Sequence, residues 1–464
     1  MSLSGDSQIK QSPARELSWA GRFYRRMLAR HFRYFVPAEA SVLEVGCGSG
    51  DLLAMLPNQD VTGVDVDANV LAAAQAKLPR GKFVLQAGEE LRLERTFDVI
   101  IVSDVLNEAQ DVQRILERLH AVAHPRTRLV LNYQNHLWRP LLDLATGLGL
   151  RTGPRAPHWL ARTDVLNLAL LSDWEVVNQH AAILCPLPLL GVDRLLNRWL
   201  APLFWHLGLA MFLTARPRRR LEPRAATVSV IIPARNEQGN IAAAVERTPE
   251  MGAGTEIVFV EGGSSDDTWG EIQRVQQANP QRKIKILKQP GRGKGDAVRA
   301  GFAAASGEML MILDADLTVP PEELPKFYEV LASNRAEFVN GSRLVYPMQK
   351  KAMPFLNMCV NKFFALAFSW LLGQSVKDTL CGTKVLWRES YDRIAAGRTY
   401  FGDFDPFGDF DLLFGASKLG LKIVDVPIRY KERTYGSTNI HRWRHGWLLL
   451  RMMFFAARRM KFIG

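Results

Sequence analysis

Short, almost wholly apolar runs alternate with helical patterns along most of the chain. The first half contains SVLEVG, VTGVDV, KFVLQA, FDVIIVS, TRLVLNY and WEVVNQ; the second contains VSVIIP, EIVFVEG, IKILKQ, MLMILDAD, EFVNGSR and LKIVDVPI. Such runs are typical of strands buried on both faces of a parallel sheet. The segments between them predict helices that cover both faces. We therefore expect an α/β protein with two doubly wound sheets.

One segment interrupts this pattern near the middle of the chain. Residues 216–226 are rich in arginine and proline and show no periodicity, which is typical of a linker. We expect a first domain over residues 1–215, a linker over 216–226 and a second domain over 227–464. Each domain is long enough to bury its own core.

The charge of the chain is unevenly distributed. Lys and Arg number 59 against 47 Asp and Glu, a net charge of +12, and the excess lies in residues 214–224 and 429–464. The tail mixes arginines with aromatic residues, and residues 355–372 are mainly apolar. These segments suit interfacial helices on an anionic membrane surface. The alternative is a core or dimer helix with solvated basic ends.

Cysteine usage and the N-terminus bear on the compartment. The four cysteines show no CxxC spacing, so neither a disulfide framework nor a zinc site is expected. The N-terminal residues lack the apolar core of a signal peptide. The longest uncharged apolar run, residues 199–215, is shorter than the roughly 20 residues that a spanning helix needs. We expect a cytoplasmic protein, peripheral at the inner face of the cell membrane.

A glycine-rich turn follows the first apolar run. The sequence from Ser41 to Gly50 reads as a buried strand entering G-x-G-x-G, and a helical pattern follows it. The next strand ends at Asp65, 19 residues after Gly46. Glycines let a turn approach a ligand closely, and a carboxylate at a strand end can accept hydrogen bonds from ribose hydroxyls. The combination predicts a nucleoside-binding site.

Together with an acid before the turn, this pattern resembles class I S-adenosylmethionine-dependent methyltransferases over about residues 42–133. The resemblance implies a Rossmann-like fold with S-adenosylmethionine as cofactor. The segment FDVIIVSDVLNEAQD is similar to the fourth strand of that family and the loop after it. The implied cofactor-binding residues are Glu44, Gly46, Gly48, Gly50 and Asp65.

The first half departs from that family at one position. Ala87 stands where an acid usually faces the adenine, and Glu89 or Glu90 could substitute for it. The methyl acceptor is expected near three polar residues for which a surface or capping role is an equal alternative: Asp104, Asn107 and His136.

The second half places two carboxylates at the end of a buried strand. Asp314 and Asp316 follow the run MLMIL, and carboxylates in this spacing can share a Mg²⁺ or Mn²⁺ ion that neutralises a diphosphate. Arg292 and Lys294 lie near a helix start, where cations and free N–H groups suit phosphate. The sequence therefore predicts a metal and diphosphate site; this context argues against nucleic acid as the partner.

The order of motifs resembles glycosyltransferase family 2, with the GT-A fold. Later segments, GSRL, DTLCGTKVLWRE, FGDFDLL and VDVPIRYKERTYGSTN, are similar to dolichyl-phosphate mannosyltransferases and bacterial polyprenyl-phosphate glycosyltransferases. The resemblance implies a nucleotide-sugar donor and a polyprenyl phosphate or glycan acceptor. This sequence departs from the pattern of those glycosyltransferases at Glu261-Gly262, at Thr318 and at Cys381-Gly382-Thr383.

The resemblance assigns roles to individual residues. The nucleotide sugar would contact Pro233, Ala234, Arg235, Glu237, Glu261, Lys294 and Asp314. The metal would bind Asp314 and Asp316. The acceptor phosphate would contact Arg343, Arg433 and Ser437. The catalytic candidates are Asp316, Asp409 and Asp411.

The leading hypothesis is a bifunctional enzyme that transfers a sugar with inversion and methylates a related product. A phosphate acceptor is already nucleophilic, whereas a sugar hydroxyl would need a general base, for which Asp409 is the candidate. Two alternatives remain open. The first half could be a non-catalytic scaffold, or the protein could be a nucleotide-binding regulator.

Overall fold

The computed structural model describes residues 18–147, 160–218, 225–346, 355–400, 408, 410–431, 433, 435 and 442–463. The described residues up to 218 belong to one compact unit, and those from 225 to 460 belong to a second. Asp409 and Ser437, two of the predicted site residues, lie outside the described residues.

The first unit contains seven strands and seven α-helices among its described residues. Its strands are β1 (Val42–Val45), β2 (Val61–Asp65), β3 (Lys82–Leu85), β4 (Phe97–Ser103), β5 (Ala123–Gln134), β6 (Trp174–Ala182) and β7 (Ala210–Pro217). Its helices are α1 (Trp19–Phe35), α2 (Asp51–Met55), α3 (Ala68–Lys77), α4 (Val112–Arg118), α5 (Arg139–Gly147), α6 (Arg162–Leu171) and α7 (Val192–Leu195).

The first sheet has the order β3-β2-β1-β4-β5-β7-β6, in which β7 is antiparallel to both of its neighbours. Alternate residues of the strands pack into cores on opposite faces. Leu43 and Ile100 belong to one core, whereas Val42 and Ile101 belong to the other. Strands β2 and β3 are added on one side of β1, and β4 and β5 on the other. The ends of β1 and β4 therefore lie at a topological switch point, where α/β sheets bind ligands.

The second unit contains seven strands and eight α-helices within the described part of the chain. Its strands are β8 (Val228–Ala234), β9 (Thr255–Glu261), β10 (Lys283–Lys288), β11 (Met309–Ile312), β12 (Phe338–Ser342), β13 (Lys384–Trp387) and β14 (Ile423–Pro427). Its helices are α8 (Ile241–Arg247), α9 (Thr268–Ala278), α10 (Lys294–Ala304), α11 (Leu324–Ala332), α12 (Phe355–Leu372), α13 (Arg388–Ala396), α14 (Phe410–Lys418) and α15 (Arg442–Met460).

The second sheet has the order β10-β9-β8-β11-β13-β12-β14. Strand β13 runs antiparallel to β11 and to β12, and the other pairs are parallel. The switch point falls between β8 and β11. The Asp-x-Asp sequence follows β11 directly, so it lies at the same kind of position as the glycine turn of the first unit.

The predicted fold class is confirmed, because each unit is an α/β structure built on a seven-stranded sheet. Two expectations need correction. The sheets are mixed, because β7 and β13 are antiparallel and neither was among the predicted strands. Strand β7 also extends through Arg216 and Pro217, two residues into the predicted linker. Arg216 is buried there and its guanidinium pairs with Glu175 at 2.8 Å.

Within the described residues, no helix combines the length and the hydropathy needed to cross a membrane. The apolar run 199–215 is divided between a π turn that continues α7, a short 3₁₀ turn and strand β7.

Candidate active sites

The glycine turn of the first unit lies directly after β1. Gly46, Gly48 and Gly50 all have positive φ angles, of 73°, 51° and 68°. A Cβ on Gly46 would lie 2.3 Å from Val105, whereas a Cβ on Gly48 would meet nothing within 4 Å. Gly46 is therefore required by packing. Gly48 borders open space, into which a ligand can approach the backbone.

Asp65, at the end of β2, fixes this turn. Its Oδ2 accepts a hydrogen bond from the Gly48 N–H at 2.8 Å, and its Oδ1 accepts one from the Val66 N–H at 2.8 Å. The carboxylate is only partly buried. The structure thus brings together the turn and the strand-end acid that the sequence predicted.

Glu44, in the middle of β1, is fully buried beside the same turn. Both of its carboxylate oxygens lack a hydrogen-bond partner among the described residues. Burial raises the pKa of Glu44 to about 8, and the positive charge of Arg25 on α1 opposes this shift only in part. A buried carboxyl group without partners is costly, and a cationic ligand with N–H donors would satisfy it. The residues therefore fit the amino-acid end of S-adenosylmethionine.

The predicted acceptor side lies at the ends of β4 and β5. The Asp104 carboxylate accepts hydrogen bonds from the Tyr24 hydroxyl at 3.2 Å and from the Asn132 amide at 2.7 Å. Asn107 is buried and accepts a hydrogen bond from the backbone N–H of Gln134 at 2.9 Å. His136 is exposed in the turn that follows β5. Asp104 and Asn107 therefore hold the edge of the sheet together.

The acids near Ala87 have separate surroundings. Ala87 precedes a short 3₁₀ turn. The Glu89 carboxylate accepts long hydrogen bonds from the backbone N–H groups of Gln110 and Asp111, at 3.3 and 3.4 Å, while Glu90 is exposed. Glu89 thus joins two loops. Of the two candidates for the acid that faces the adenine, Glu90 is therefore the one whose side chain is more accessible to a ligand.

In the second unit, the ends of β8 and β9 form one side of the site. Ala234 lies beside Glu261 in the sheet register, and the Gly262 N–H donates to the Ala234 carbonyl at 2.9 Å. The Glu261 carboxylate accepts a hydrogen bond from the Ser264 N–H at 2.6 Å. Pro233 is half-buried and Arg235 is exposed. The predicted nucleoside residues are therefore adjacent at one edge of the sheet.

The first aspartate of the Asp-x-Asp sequence pairs with Lys294 at the start of α10. The Lys294 ammonium lies 2.6 Å from an Asp314 oxygen. Burial would raise the pKa of Asp314, but the charge and hydrogen bond of Lys294 lower it overall, helped by the charges of Lys384 and Arg343. A Cβ on Gly382 would lie 2.2 Å from the Asp314 carboxylate, so glycine is required where this loop covers the pair.

The second aspartate pairs with an arginine from a distant part of the sequence. The Arg433 guanidinium donates to Asp316 at 2.6 Å and to Glu237 at 3.1 Å. The other Asp316 oxygen accepts hydrogen bonds from the backbone N–H and hydroxyl of Thr318. Burial raises the pKa of Glu237, while Asn240 and Arg433 oppose that shift. Arg433 thus neutralises two acids that were assigned to the donor side.

Two carboxylates and no nitrogen or sulfur ligands suit a hard divalent cation. Among the described residues no cluster of three or more His, Cys, Asp or Glu side chains forms a metal cage. Asp314 and Asp316 would therefore hold such an ion only together with oxygens from a diphosphate or from water.

The remaining predicted residues have other partners. Arg343 forms a two-pronged ion pair with Asp378, at 2.7 and 2.8 Å, and its guanidinium lies 5.2 Å from the ring centre of Tyr430. The Asp411 carboxylate, on α14, accepts from Arg398 at 2.7 Å. The charge of Arg343 also acts on Asp314 and helps to lower the pKa of that carboxyl.

Gly408 gives the position of the segment that precedes Asp411. A Cβ on Gly408 would lie 2.5 Å from the Cα of Gly295, the residue after Lys294. The GDFD sequence therefore begins against the start of α10, beside the Lys294–Asp314 pair.

Comparison with known proteins identifies both halves. The model of glycosyl transferase family 2 matches residues 229–394, and a methyltransferase-domain model matches residues 43–129. A dolichyl-phosphate hexose transferase of Haloferax volcanii is 31% identical over 216 residues, which cover 46% of this chain and 86% of that protein. The chain belongs to glycosyl transferase family 2. It joins this domain to a methyltransferase domain in the first half.

A dolichol-phosphate mannosyltransferase of Pyrococcus furiosus is 30% identical over 219 residues, covering 46% of this chain and 59% of that relative. The chain thus spans about three-fifths of that relative's length. A solved S-adenosylmethionine-dependent methyltransferase of Thermotoga maritima, a possible histamine N-methyltransferase, is 14% identical. The structural match covers 43% of this chain and 91% of the Thermotoga protein, with a TM-score of 0.35.

The region that matches glycosyl transferase family 2 includes both aspartates, Lys294 and Arg343, but it ends before Asp411 and Arg433. Sequence reasoning missed Asp378, the partner of Arg343, although it lies in the DTLCG segment that was singled out. It also missed Tyr24 and Arg25, which reach the methyltransferase site from α1, outside the matched residues. The amphipathic pattern of α1 was the available signal.

Proposed function

We propose that this chain is a bifunctional enzyme whose second unit transfers a sugar from a nucleotide sugar to a polyprenyl phosphate or glycan acceptor. The observation that carries the proposal is the pairing of Asp314 with Lys294 and of Asp316 with Arg433 at the end of the central strand β11. Relatives over this region include a dolichyl-phosphate hexose transferase and a dolichol-phosphate mannosyltransferase.

A Mg²⁺ or Mn²⁺ ion held by the two aspartates would supply charge stabilisation for the departing diphosphate. Lys294 lies at the start of α10, where its ammonium and the free N–H groups of the helix attract phosphate. Pro233, Ala234, Arg235, Glu237 and Glu261 would contact the nucleoside, as the adjacent ends of β8 and β9 allow.

In the proposed reaction, an oxygen of the acceptor phosphate forms a bond to the anomeric carbon of the sugar. The bond from that carbon to the nucleoside diphosphate breaks, and the diphosphate leaves with the electron pair. Attack from the opposite side inverts the anomeric centre. Arg433, Arg343 and Ser437 would bind the acceptor phosphate. Asp409 or Asp411 would face the acceptor, and Asp409 would act as base only for a hydroxyl acceptor.

Mass spectrometry of products tests this proposal. The full chain is incubated with a panel of nucleotide sugars and Mg²⁺ or Mn²⁺, with and without polyprenyl phosphate. The expected product is a glycosylated polyprenyl phosphate with inverted anomeric configuration. Turnover that does not depend on a divalent ion would contradict the proposed role of the two aspartates.

We further propose that the first unit binds S-adenosylmethionine and methylates the glycosylated product or a related molecule. The buried and unpartnered Glu44 carboxyl supports cofactor binding, because a cationic amino group would satisfy it. Calorimetric titration with S-adenosylhomocysteine tests this point. Absence of binding would favour the alternative in which the first unit is a non-catalytic scaffold, while absence of transfer with every nucleotide sugar would favour a nucleotide-binding regulator.

A peripheral position at the inner face of the cell membrane is the third part of the proposal. On α15, Trp447, Leu450 and Phe454 are exposed on one face, and Arg451 and Arg458 are exposed beside them. This arrangement suits an interfacial helix with arginines at headgroup level. Binding to anionic vesicles should fall with added salt and on deletion of residues 443–464; equal binding to neutral vesicles would argue against it.

A further inference from the structure

The first unit exposes a second set of large apolar side chains, on α5 and on the turn before it. Leu137, Leu141 and Leu144 are 52%, 59% and 60% exposed. Their spacing of four and three residues places them on one face of the helix. This face contains leucine where a solvated helix would carry polar residues.

The connection between β6 and β7 carries a matching set. Val192, Leu195 and Trp199 are 51%, 56% and 39% exposed, and their spacing of three and four residues forms a stripe along α7 and the π turn that continues it. Leu203, Phe204 and Leu207 follow, and each is more than half exposed. The connection therefore turns an apolar face to solvent over most of its length.

The two sets meet. The Trp138 indole N–H donates to the carbonyl oxygen of Leu207 at 2.8 Å, and the Asn135 amide donates to the carbonyl oxygens of His206 and Gly208 at 2.9 and 3.1 Å. Leu137 and Leu207 therefore belong to one surface. We call this surface the apolar rim; it comprises Leu137, Leu141, Leu144, Val192, Leu195, Trp199, Leu203, Phe204 and Leu207.

The apolar rim lies at the edge of the sheet that holds the cofactor site. Gln134, the last residue of β5, pairs with Ala210 at the start of β7, and Ala182 at the end of β6 pairs with the same residue. The connection between β6 and β7 therefore emerges where β5 ends, next to the polar residues that line the acceptor side. The rim adjoins the side from which a methyl acceptor would approach.

The charges along the rim favour an anionic partner. Arg139 and Arg194 are exposed, and the Arg198 guanidinium lies 5.7 Å from the Trp199 ring centre. Of the two acids, Asp143 lies 3.6 Å from Arg139. The Asp193 carboxylate is buried and accepts hydrogen bonds from the backbone N–H groups of residues 189 and 191. Apolar stripes bordered by arginine and tryptophan are typical of protein surfaces that lie in an anionic membrane interface.

We infer that the apolar rim docks on an anionic lipid bilayer and that the methyl acceptor is an amphiphile whose apolar part stays in that bilayer. Exposed apolar side chains in such number are unusual for a surface that faces only water. The bilayer docking stands on the rim itself, whereas the statement about the acceptor rests on the proposed methyltransferase function.

Hydrogen exchange gives a local test. Residues 137–147 are its main readout, because Trp199 in the other rim segment packs against Phe462, two residues after α15, with ring centres 4.9 Å apart. The full chain is compared with and without vesicles of phosphatidylglycerol and phosphatidylcholine. Peptides covering residues 137–147 and 187–207 should exchange several-fold more slowly with vesicles. Residues 168–173 should be unchanged, because α6 ends just before the start of β6, whereas the rim lies where β5 and β6 end. Unchanged exchange in both rim segments would overturn the inference.

Paired substitutions test the same surface by affinity. Leu141→Glu with Leu144→Glu, or Leu203→Glu with Phe204→Glu, should weaken vesicle binding of the full chain by about tenfold or more, because apolar area is lost from the interface. The matched control is Leu170→Glu with Leu171→Glu, since both leucines are more than half exposed at the end of α6. Equal losses in rim and control variants would contradict the inference.

Two further outcomes are decisive. If rim exchange slows with protein concentration in the absence of vesicles, the rim is a contact between copies of the chain and the lipid inference is wrong. Binding of S-adenosylhomocysteine should stay unchanged in the rim variants, while methylation of glycosylated polyprenyl phosphate carried in these vesicles falls. Absence of that binding in the unaltered chain would instead refute the methyltransferase function and leave the docking result standing.

Discussion

The two units use similar positions in similar sheets but hold their acids in opposite ways. Glu44 lies beside the switch point of the first sheet, fully buried, with neither carboxylate oxygen hydrogen-bonded among the described residues. Asp314 and Asp316 follow β11 at the switch point of the second sheet, and each is paired with a basic side chain. In the first site the charge of Arg25 acts on Glu44 without a hydrogen bond, whereas in the second each aspartate is hydrogen-bonded to a basic side chain.

This difference indicates what each site would do when its ligand arrives. A cationic ligand at Glu44 gains a buried partner and displaces no ion pair. A divalent ion held by the two aspartates would compete with Lys294 and Arg433, whose charges would then be available to phosphate groups. Substitution of Glu44 should therefore not destabilise the free protein, whereas substitution of Asp316 should leave Arg433 without one of its partners.

The largest effect is expected for Asp316→Asn. This change removes a proposed metal ligand and a partner of Arg433. Sugar transfer should therefore fall by roughly 10³-fold. The initial rate of nucleoside diphosphate release measures it, and Asp392→Asn, at an exposed position on α13, is the matched control. A rate within a factor of about two of the unaltered chain would refute the metal role.

Arg433→Gln should have the next largest effect. The loss of a charged donor to both Glu237 and Asp316 should lower transfer by about 10- to 100-fold, mainly through a higher KM for the phosphate acceptor. The Mg²⁺ concentration for half-maximal rate should fall, because Arg433 no longer competes for Asp316. Exposed Arg429, substituted in the same way, is the control. An unchanged acceptor KM together with an unchanged Mg²⁺ requirement would contradict this assignment.

The sequence pattern was sufficient for most of the fold because the central parallel strands are buried on both faces. Runs such as FDVIIVS and VSVIIP have no other stable place than the centre of a sheet. Strands β7 and β13 were missed for different reasons. The first, Ala210–Pro217, continues an apolar segment and enters an arginine-rich one, and the second is only four residues long. Both are antiparallel to their neighbours in the sheet.

The candidate sites were predictable where a motif is local and unpredictable where a partner is distant. Gly48 and Asp65 were both assigned to the cofactor site, and a short β-turn-α-β unit brings them within hydrogen-bond distance. The pair Arg433–Asp316 joins residues 117 positions apart, and Arg343–Asp378 joins two motifs that were recognised separately. Sequence spacing cannot show that an arginine assigned to the acceptor already neutralises an acid assigned to the metal.

Glu44→Gln tests the other side of the comparison. The affinity for S-adenosylhomocysteine should fall by about 10- to 100-fold, because a charged hydrogen-bond acceptor is lost. The melting temperature of the ligand-free chain should not fall, because no native hydrogen bond of Glu44 is removed. Exposed Glu117, changed to Gln, is the control. Unaltered affinity together with a lower melting temperature would show that Glu44 is only structural.

The smallest effect is a dependence of cofactor affinity on pH. Burial raises the folded-state pKa of Glu44 to about 8 from 4.5, so its contribution to folding is fully present below pH 4.5 and is lost as pH rises through 8. A cationic ligand prefers the ionised carboxylate, so affinity for S-adenosylhomocysteine should rise between pH 6 and 8, by at most about tenfold per pH unit. Burial lowers the pKa of His31 to about 4 and that of His180 well below its usual value, so neither should titrate in this window. Calorimetry across this range should show the slope in the unaltered chain and none in Glu44→Gln; the same slope in both would assign the proton to another group.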